Sequence, residues 1–244
     1  MSGKAIRLKR IFKDDGKAVI SALDFGGFMG IVPGLENPKE IVSQVVEGGA
    51  DAIIVTPGFA REAQPVFGGK VGLIMRITGG ASKFSPDGSN HVPVTSVEEA
   101  VRLGADAVCI MVIIGAPEEH AMLATLGCVV EDANRLGVPV VAELLPQFEH
   151  SFDPEWVGVC ARLGFEWGAD VVKTYYCGPE FADVVASSPI PIVMAGGPKN
   201  ADIFTNIEGA LEAGAAGVAI GRNIYQAPNP YEQVRKIAEL VHGK

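Results

Sequence analysis

Short apolar runs alternate with amphipathic stretches along the whole chain. Four of these runs span residues 18–25, 71–78, 139–146 and 191–197. Four more follow a recurring Gly-Ala-Asp or Gly-Ala-Ala motif, within 49–55, 104–110, 168–173 and 214–220. The runs are rich in Val and Ile and too short for helices, so they predict eight strands that are buried on both faces, as in a parallel sheet.

The stretches between the strands carry start and stop signals of helices. Four polar residues stand where an N-cap is expected, three of them directly before a proline: Asn37, Ser96, Asp153 and Asn229. A glycine follows each of four stretches, which suits a left-handed C-cap. The stretch after the second strand is poorly marked, because Pro65 and the glycines just after it interrupt the pattern.

Eight strand–helix units in 244 residues predict a single (β/α)8 barrel that occupies residues 1–244 as one domain. A doubly wound open sheet is the alternative. The barrel is favoured because no GxGxxG motif follows the first strand and because the repeat runs the whole length. We find no linker or low-complexity tract that would divide the chain.

Composition narrows the class of protein. Hydrophobic residues make up 48% of the chain, which excludes a disordered protein, and the net charge of −9 argues against a nucleic-acid partner. The longest apolar run falls short of the ~20 residues of a membrane span, and the N-terminus lacks the apolar region of a signal peptide. The cysteines form no CxxC and the histidines no HExxH. We therefore expect a cytoplasmic protein with reduced thiols and no metal site.

Three charged residues near the C-terminal ends of predicted strands are candidates for catalysis, because barrel chemistry collects at those ends. Lys173 lies inside the sixth strand, where a charge is costly to bury, and a lysine amine can form a Schiff base with a carbonyl. Asp24 ends the first strand and Glu143 lies in the fifth. Both carboxylates could move protons, or could simply pair with Lys173 or Arg76.

Two glycine-containing loops predict a phosphate site. Gly196 and Gly197 follow the seventh strand, and Gly221 and Arg222 follow the eighth. Loops after these two strands often hold phosphate in this fold, and an arginine can bind phosphate through two hydrogen bonds. The alternative is a pair of ordinary turns beside a surface arginine. Tyr175 is a further polar residue expected at the barrel mouth, with no role assigned.

Several segments of the chain are similar to those of a known family. They span residues 6–12, 24–35, 97–108, 172–176, 195–199 and 221–226. In these the chain resembles the archaeal-type class I fructose-bisphosphate aldolase family, which includes 2-amino-3,7-dideoxy-D-threo-hept-6-ulosonate synthase and the autoinducer-2 phosphate thiolase. The resemblance implies that Lys173 is the Schiff-base lysine and that Asp24 is the family aspartate. It also implies that no cofactor is used and that the protein is a homo-oligomer, often a decamer.

Three positions depart from the family pattern. Phe25 replaces the histidine that follows the aspartate in the aldolases, Leu145 replaces a tyrosine that transfers protons, and Met111 stands where synthase-like members have histidine. Side chains two positions apart share a strand face, so Glu143 faces the same way as Leu145. Our hypothesis is that Glu143 takes over proton transfer. The loss of the tyrosine also counts against fructose 1,6-bisphosphate as the substrate.

Three functions follow as hypotheses. The first is a lyase that cleaves or forms a C–C bond in a phosphorylated ketose through an imine on Lys173. The second is a transferase that uses the same imine and passes a fragment to a second acceptor, as in the synthase and thiolase relatives. The third is a barrel that binds a phosphorylated metabolite without catalysis.

Overall fold

The computed structural model describes residues 3–199 and 202–243, and its centre is a closed barrel of eight parallel strands. In chain order the strands are β1 Ala18–Ala22, β2 Ala52–Val55, β3 Gly72–Arg76, β4 Ala107–Ile114, β5 Val140–Pro146, β6 Val171–Tyr175, β7 Ile192–Ala195 and β8 Gly217–Ile220. Each strand pairs with the next one in the chain, and β8 pairs with β1. This closure confirms the predicted (β/α)8 barrel and excludes the open sheet.

Helices surround the barrel. They are α1 Gly3–Leu8, α2 Gly26–Met29, α3 Pro38–Glu47, α4 Pro57–Phe67, α5 Val97–Arg102, α6 Glu119–Leu136, α7 Pro154–Glu166, α8 Phe181–Ala186, α9 Ile203–Glu212, α10 Arg222–Tyr225 and α11 Pro230–His242, with a 3₁₀ turn at Phe148–His150. The four predicted N-caps are confirmed, since each side chain accepts a backbone N–H of the first turn. The poorly marked stretch is the regular helix α4, which holds Pro65 near its C-terminal end.

Side chains that point into the barrel are apolar along most of its length. Alternate residues of the strands form an inner cluster, among them Ile20, Ile54, Ile74, Val141, Val171 and Val193, and Ile11 packs against them. A larger cluster joins the outer faces of the strands to the helices. Among the described residues, Arg76, Glu143 and Lys173 are buried charged side chains of the strands, and they lie above this inner cluster, toward the C-terminal end where barrel ligands bind.

The opposite end of the barrel is closed by ion pairs that the sequence analysis did not predict. The carboxylates of the three Gly-Ala-Asp motifs accept backbone N–H groups of Val19, Leu73 and Val140 near the starts of β1, β3 and β5. Each also pairs with a cation of the N-terminal segment, as Asp51–Lys13 at 3.2 Å, Asp106–Arg10 at 2.6 Å and Asp170–Lys4 at 2.7 Å. The repeated aspartates therefore join the starts of the strands to the N-terminal segment, and none of them lines the cavity at the other end of the barrel.

The four cysteines are all unpaired, and Cys109, Cys160 and Cys177 are buried. Within residues 3–199 and 202–243, none of the helices combines the length and the apolar character that a membrane crossing requires.

Candidate active site

A cavity of about 780 Å³ opens at the C-terminal end of the barrel. All seven residues singled out from the sequence line it: Asp24, Glu143, Lys173, Gly196, Gly197, Gly221 and Arg222. The structure therefore brings the predicted catalytic and phosphate-binding residues into one site. It also places Arg76 and Tyr175 on the same wall.

Four charged side chains form a continuous chain across the floor of the cavity. Lys173 Nζ lies 2.7 Å from Glu143 Oε1, and the other carboxylate oxygen of Glu143 accepts from Arg76 Nη2. Arg76 Nε in turn donates to Asp24 Oδ2 at 2.6 Å. Lys173, Glu143 and Arg76 are buried, so the two cations and two carboxylates compensate one another where water is largely excluded.

The strand register explains these contacts. Glu143 on β5 lies opposite Lys173 on β6 and opposite Met111 on β4, and all three side chains point into the barrel. The sequence left open which carboxylate pairs with the lysine. In the structure Glu143 pairs with Lys173, whereas Asp24 reaches the lysine only through Arg76 and Glu143.

The charge on Glu143 depends on its two cationic neighbours. Burial alone raises the pKa of its carboxyl group, but the charges and hydrogen bonds of Lys173 and Arg76 outweigh burial and lower the pKa to about 2. Glu143 is therefore a carboxylate at neutral pH and acts as a hydrogen-bond acceptor. Burial raises the pKa of Tyr175 to about 12, so its phenol keeps its proton at neutral pH.

The three positions that depart from the family pattern all face the cavity. Phe25, Met111 and Leu145 line its wall, and Leu145 lies beside Ile113 in the β4–β5 ladder. The expectation that Glu143 and Leu145 point the same way is confirmed, since both line the cavity two positions apart on β5. Apolar side chains thus occupy the cavity wall at all three of these positions.

The predicted phosphate loops meet at the other side of the mouth. Arg222 Nη2 donates to the carbonyl of Gly197 at 3.2 Å, and Asn223 Nδ2 donates to the carbonyl of Gly196 at 3.1 Å. Gly197 has a φ of +63°, and a Cβ on Gly221 would lie 2.8 Å from the carbonyl oxygen of Ala22. Both positions therefore need glycine, and the guanidinium of Arg222 is exposed at the opening.

His91 is a polar residue of this site that was not predicted from the sequence. His91 lies on the cavity wall beside a short antiparallel ribbon formed by Thr78–Gly79 and Val92–Pro93. Its Nδ1 is buried without a hydrogen-bond partner, and burial together with the charge of Arg76 lowers the pKa of the ring. A single histidine in a segment rich in Gly and Ser carries no sequence signal for this position.

A buried lysine beside a carboxylate, at the end of a barrel where ligands can reach it, is suited to forming a Schiff base with a carbonyl compound. Residues 18–227 match the sequence model of a protein family described as "DeoC/LacD family aldolase". The chain belongs to the DeoC/LacD aldolase family, and it is an enzyme of the class I, Schiff-base aldolase type.

Named relatives cover nearly the whole chain. The 2-amino-3,7-dideoxy-D-threo-hept-6-ulosonate synthase 1 of Archaeoglobus fulgidus is 36% identical and aligns with 100% of this chain and 92% of its own. The 2-amino-4,5-dihydroxy-6-oxo-7-(phosphonooxy)heptanoate synthase of Streptomyces griseus is 32% identical over 98% of this chain and 90% of its own. A solved archaeal fructose-1,6-bisphosphate aldolase, whose catalytic lysine is bound to a carbinolamine, has a TM-score of 0.90 at 32% identity and covers 98% of this chain and 100% of its own.

Proposed function

We propose that the protein is a metal-independent lyase that cleaves or forms a C–C bond in a phosphorylated ketose, with Lys173 as the Schiff-base nucleophile. The observation that carries this proposal is the buried contact of 2.7 Å between Lys173 Nζ and Glu143 Oε1 at the bottom of the cavity. A lysine there has a proton acceptor beside it and space above it for a carbonyl carbon. The solved relative with a carbinolamine on its catalytic lysine supports this assignment.

Imine formation moves two protons from the Lys173 nitrogen to the carbonyl oxygen, which leaves as water. Lys173 first gives a proton to Glu143, and the free amine then attacks the ketose carbonyl. The C–N bond forms as the C=O π electrons move to oxygen, which takes up a proton to complete the carbinolamine. The nitrogen then gives up a second proton and the hydroxyl takes one up, so that the oxygen leaves as water and the iminium remains. Because the positive charge of the lysine lowers the pKa of Glu143, neutralising the amine makes the carboxylate a stronger base.

Carbon–carbon cleavage then uses the iminium as the acceptor of an electron pair. A carboxylate removes the proton from the hydroxyl group beyond the breaking bond, a new carbonyl forms, and the bonding pair moves to the iminium to give an enamine. The enamine takes up a proton at carbon, and water releases the second product from Lys173. We assign the proton transfers to Glu143 and Asp24, which Arg76 holds in one hydrogen-bonded chain.

The substrate phosphate is assigned to Gly196, Gly197, Gly221 and Arg222. Arg222 is exposed at the mouth and has no carboxylate partner among the described residues, so its charge is available to an anion. Arg222 also lies over the ring of Phe25, with 5.5 Å between the guanidinium carbon and the ring centroid, which helps to hold the guanidinium above the opening. The close glycine backbones leave room for phosphate oxygens beside it.

A transferase is the second candidate function. Two curated relatives are named as synthases, and the tyrosine of the aldolase pattern is replaced by Leu145. In this case the enamine on Lys173 would attack a second carbonyl compound instead of being protonated. The two functions share the imine intermediate. They differ in whether the enamine then reacts with a proton or with a second carbonyl compound.

Product analysis from one substrate separates these functions. Purified protein would be incubated with single ketose phosphates, with and without EDTA, and the products followed by ³¹P and ¹H NMR. A lyase releases two carbonyl fragments from one substrate and is indifferent to EDTA. Turnover only with an added acceptor would favour the transferase, and loss of turnover with EDTA would contradict the metal-independent lyase.

Assembly, domain extent and location are further parts of the proposal. We propose that residues 1–244 act as one catalytic domain in a cytoplasmic homo-oligomer, with the decamer as the size that family resemblance suggests. Partly exposed apolar side chains on the outer helices support an interface: Ile6, Leu136, Val159 and Trp167. Light scattering coupled to size exclusion tests the assembly, and a monomer at micromolar concentration would contradict it.

A further inference from the structure

The cavity wall formed by β4 and β5 is apolar, unlike the side that holds the predicted phosphate loops. Met111 and Ile113 point inward from β4, and Leu145 points inward beside Ile113. Above them Phe148 lies at the rim with 90% of its side chain exposed. This apolar wall, made of Met111, Ile113, Leu145 and Phe148, begins next to the Lys173–Glu143 pair.

The distribution of charge in the cavity also argues against a second phosphate group beside the apolar wall. Among the described lining residues the lysine and arginine side chains are Arg76, Lys173 and Arg222. Glu143 and Asp24 compensate the first two, which leaves Arg222 as the cation without a carboxylate partner in that set. Arg222 lies after β8, away from the apolar wall. A second phosphate on the β4–β5 side would lose its hydration without gaining a cation.

The order of strands fixes which part of a substrate meets this wall. Around the barrel the sequence runs from β8 and β7 with the phosphate loops, through β6 with Lys173, to β5 and β4. A substrate joined to Lys173 with its phosphate at β7 and β8 therefore extends its other end toward β5 and β4. The uncharged polar side chains on the loops after β3 and β5 that line the cavity include Thr78, His91, Gln147 and Ser151. The Thr78 hydroxyl already accepts the N–H of Met111 at 2.9 Å.

We propose that the aldehyde which leaves or joins at the enamine is an apolar one, alkyl or aryl, and that the substrate carries a single phosphate on the ketone side. This inference rests on the proposed function, because it takes Lys173 as the point of attachment. It assigns the apolar wall to substrate specificity. It also explains why a leucine is acceptable at position 145 where a polar group would otherwise be expected.

Competition between aldehydes tests the inference. Wild-type protein would be given dihydroxyacetone phosphate with phenylacetaldehyde, hexanal or glyceraldehyde 3-phosphate, and initial rates of C–C product formation would be measured by mass spectrometry. We expect kcat/KM for the two apolar aldehydes to exceed that for glyceraldehyde 3-phosphate by roughly tenfold or more, a range that a few apolar contacts supply. Equal or better use of glyceraldehyde 3-phosphate would overturn the proposal.

A charge placed on the apolar wall should reverse the preference. Leu145→Lys is expected to lower kcat/KM for hexanal and raise that for glyceraldehyde 3-phosphate, by about tenfold each. Ile113→Lys is a second variant at a less buried position, in case Leu145→Lys does not fold. Ile31→Lys is the matched control, since Ile31 is 89% exposed and does not line the cavity. An unchanged preference in a folded wall variant would contradict the proposal.

Borohydride reduction with dihydroxyacetone phosphate alone separates a failure of this inference from a failure of the proposed function. An adduct on Lys173 together with a preference for glyceraldehyde 3-phosphate would overturn this inference and leave the proposed function intact. No adduct would overturn both.

Discussion

Glu143 and Lys173 face each other from neighbouring strands, and the carboxylate lies 2.7 Å from the amine in the buried floor of the barrel. An isolated buried charge of either kind would be unfavourable, so each makes the other possible. The pair is also a proton donor beside a proton acceptor, which is what imine formation at a lysine requires. Arg76 extends the pair to Asp24 and thereby holds both carboxylates in place.

A substitution that removes the charge of Glu143 but keeps its size tests whether the carboxylate takes part in proton transfer. Glu143→Gln keeps the size of the side chain but cannot accept a proton from Lys173. We expect kcat to fall by roughly 10²–10⁴-fold, the usual contribution of general acid–base catalysis, while imine formation remains partly intact. Steady-state assay and borohydride labelling of the same variant measure the two effects.

Glu149→Gln is the matched control, because Glu149 is exposed on the 3₁₀ turn after β5. Its activity should equal that of the wild type. Unchanged turnover in a folded Glu143→Gln variant would remove Glu143 from the mechanism.

The low pKa of Glu143 also predicts how stability depends on pH. Its pKa is about 2 in the folded protein and 4.5 ordinarily, so the unfolded chain binds the proton more tightly. The stabilisation is full above the ordinary value and is lost as the pH falls from about 4.5 toward about 2. Urea unfolding at pH 7 and pH 4 should show a smaller acid loss in Glu143→Gln than in the wild type or in Glu149→Gln. An identical acid loss in all three proteins would show that Glu143 has no lowered pKa.

Arg222 is expected to act on phosphorylated substrates only. Arg222→Gln removes the charge at the phosphate loops, and we expect kcat/KM for a ketose phosphate to fall about 10²-fold, mainly through KM, since a charge-assisted hydrogen bond contributes ~1.5–3 kcal/mol. Rates with the unphosphorylated ketose should not change. The control is Arg162→Gln, which breaks the surface pair with Glu166 on α7. An equal loss for both substrates would assign Arg222 a structural role.

The repeated aspartates at the closed end of the barrel should affect stability and leave catalysis alone. Asp106→Ala leaves the buried N–H of Leu73 and the guanidinium of Arg10 without their acceptor, and we expect a loss of about 1–3 kcal/mol in the free energy of unfolding. Asp132→Ala breaks only the surface pair with Arg135 and should cost less than about 1 kcal/mol. Chemical denaturation measures both, and similar losses would refute the role given to the motif.

The sequence was sufficient for the barrel because the signals for it are local. Runs of Val and Ile, N-caps such as Asn37 and glycines after helices all act within a few residues. The grouping of Asp24, Glu143 and Lys173 also followed, since parallel strands end at one side. The sequence did not predict which carboxylate pairs with Lys173, because that depends on the register between β5 and β6. The contacts of Asp51, Asp106 and Asp170 and the position of His91 likewise depend on residues distant in the chain.

The formation of a covalent imine between Lys173 and a phosphorylated ketone is the step on which the proposed function depends. Its most direct test is to incubate the protein with dihydroxyacetone phosphate, reduce with borohydride, and determine the intact mass and the masses of the proteolytic peptides. We expect one added ligand per chain, located on the peptide that carries Lys173, and no label in Lys173→Arg. Label on another lysine, or none on a folded protein, would contradict it.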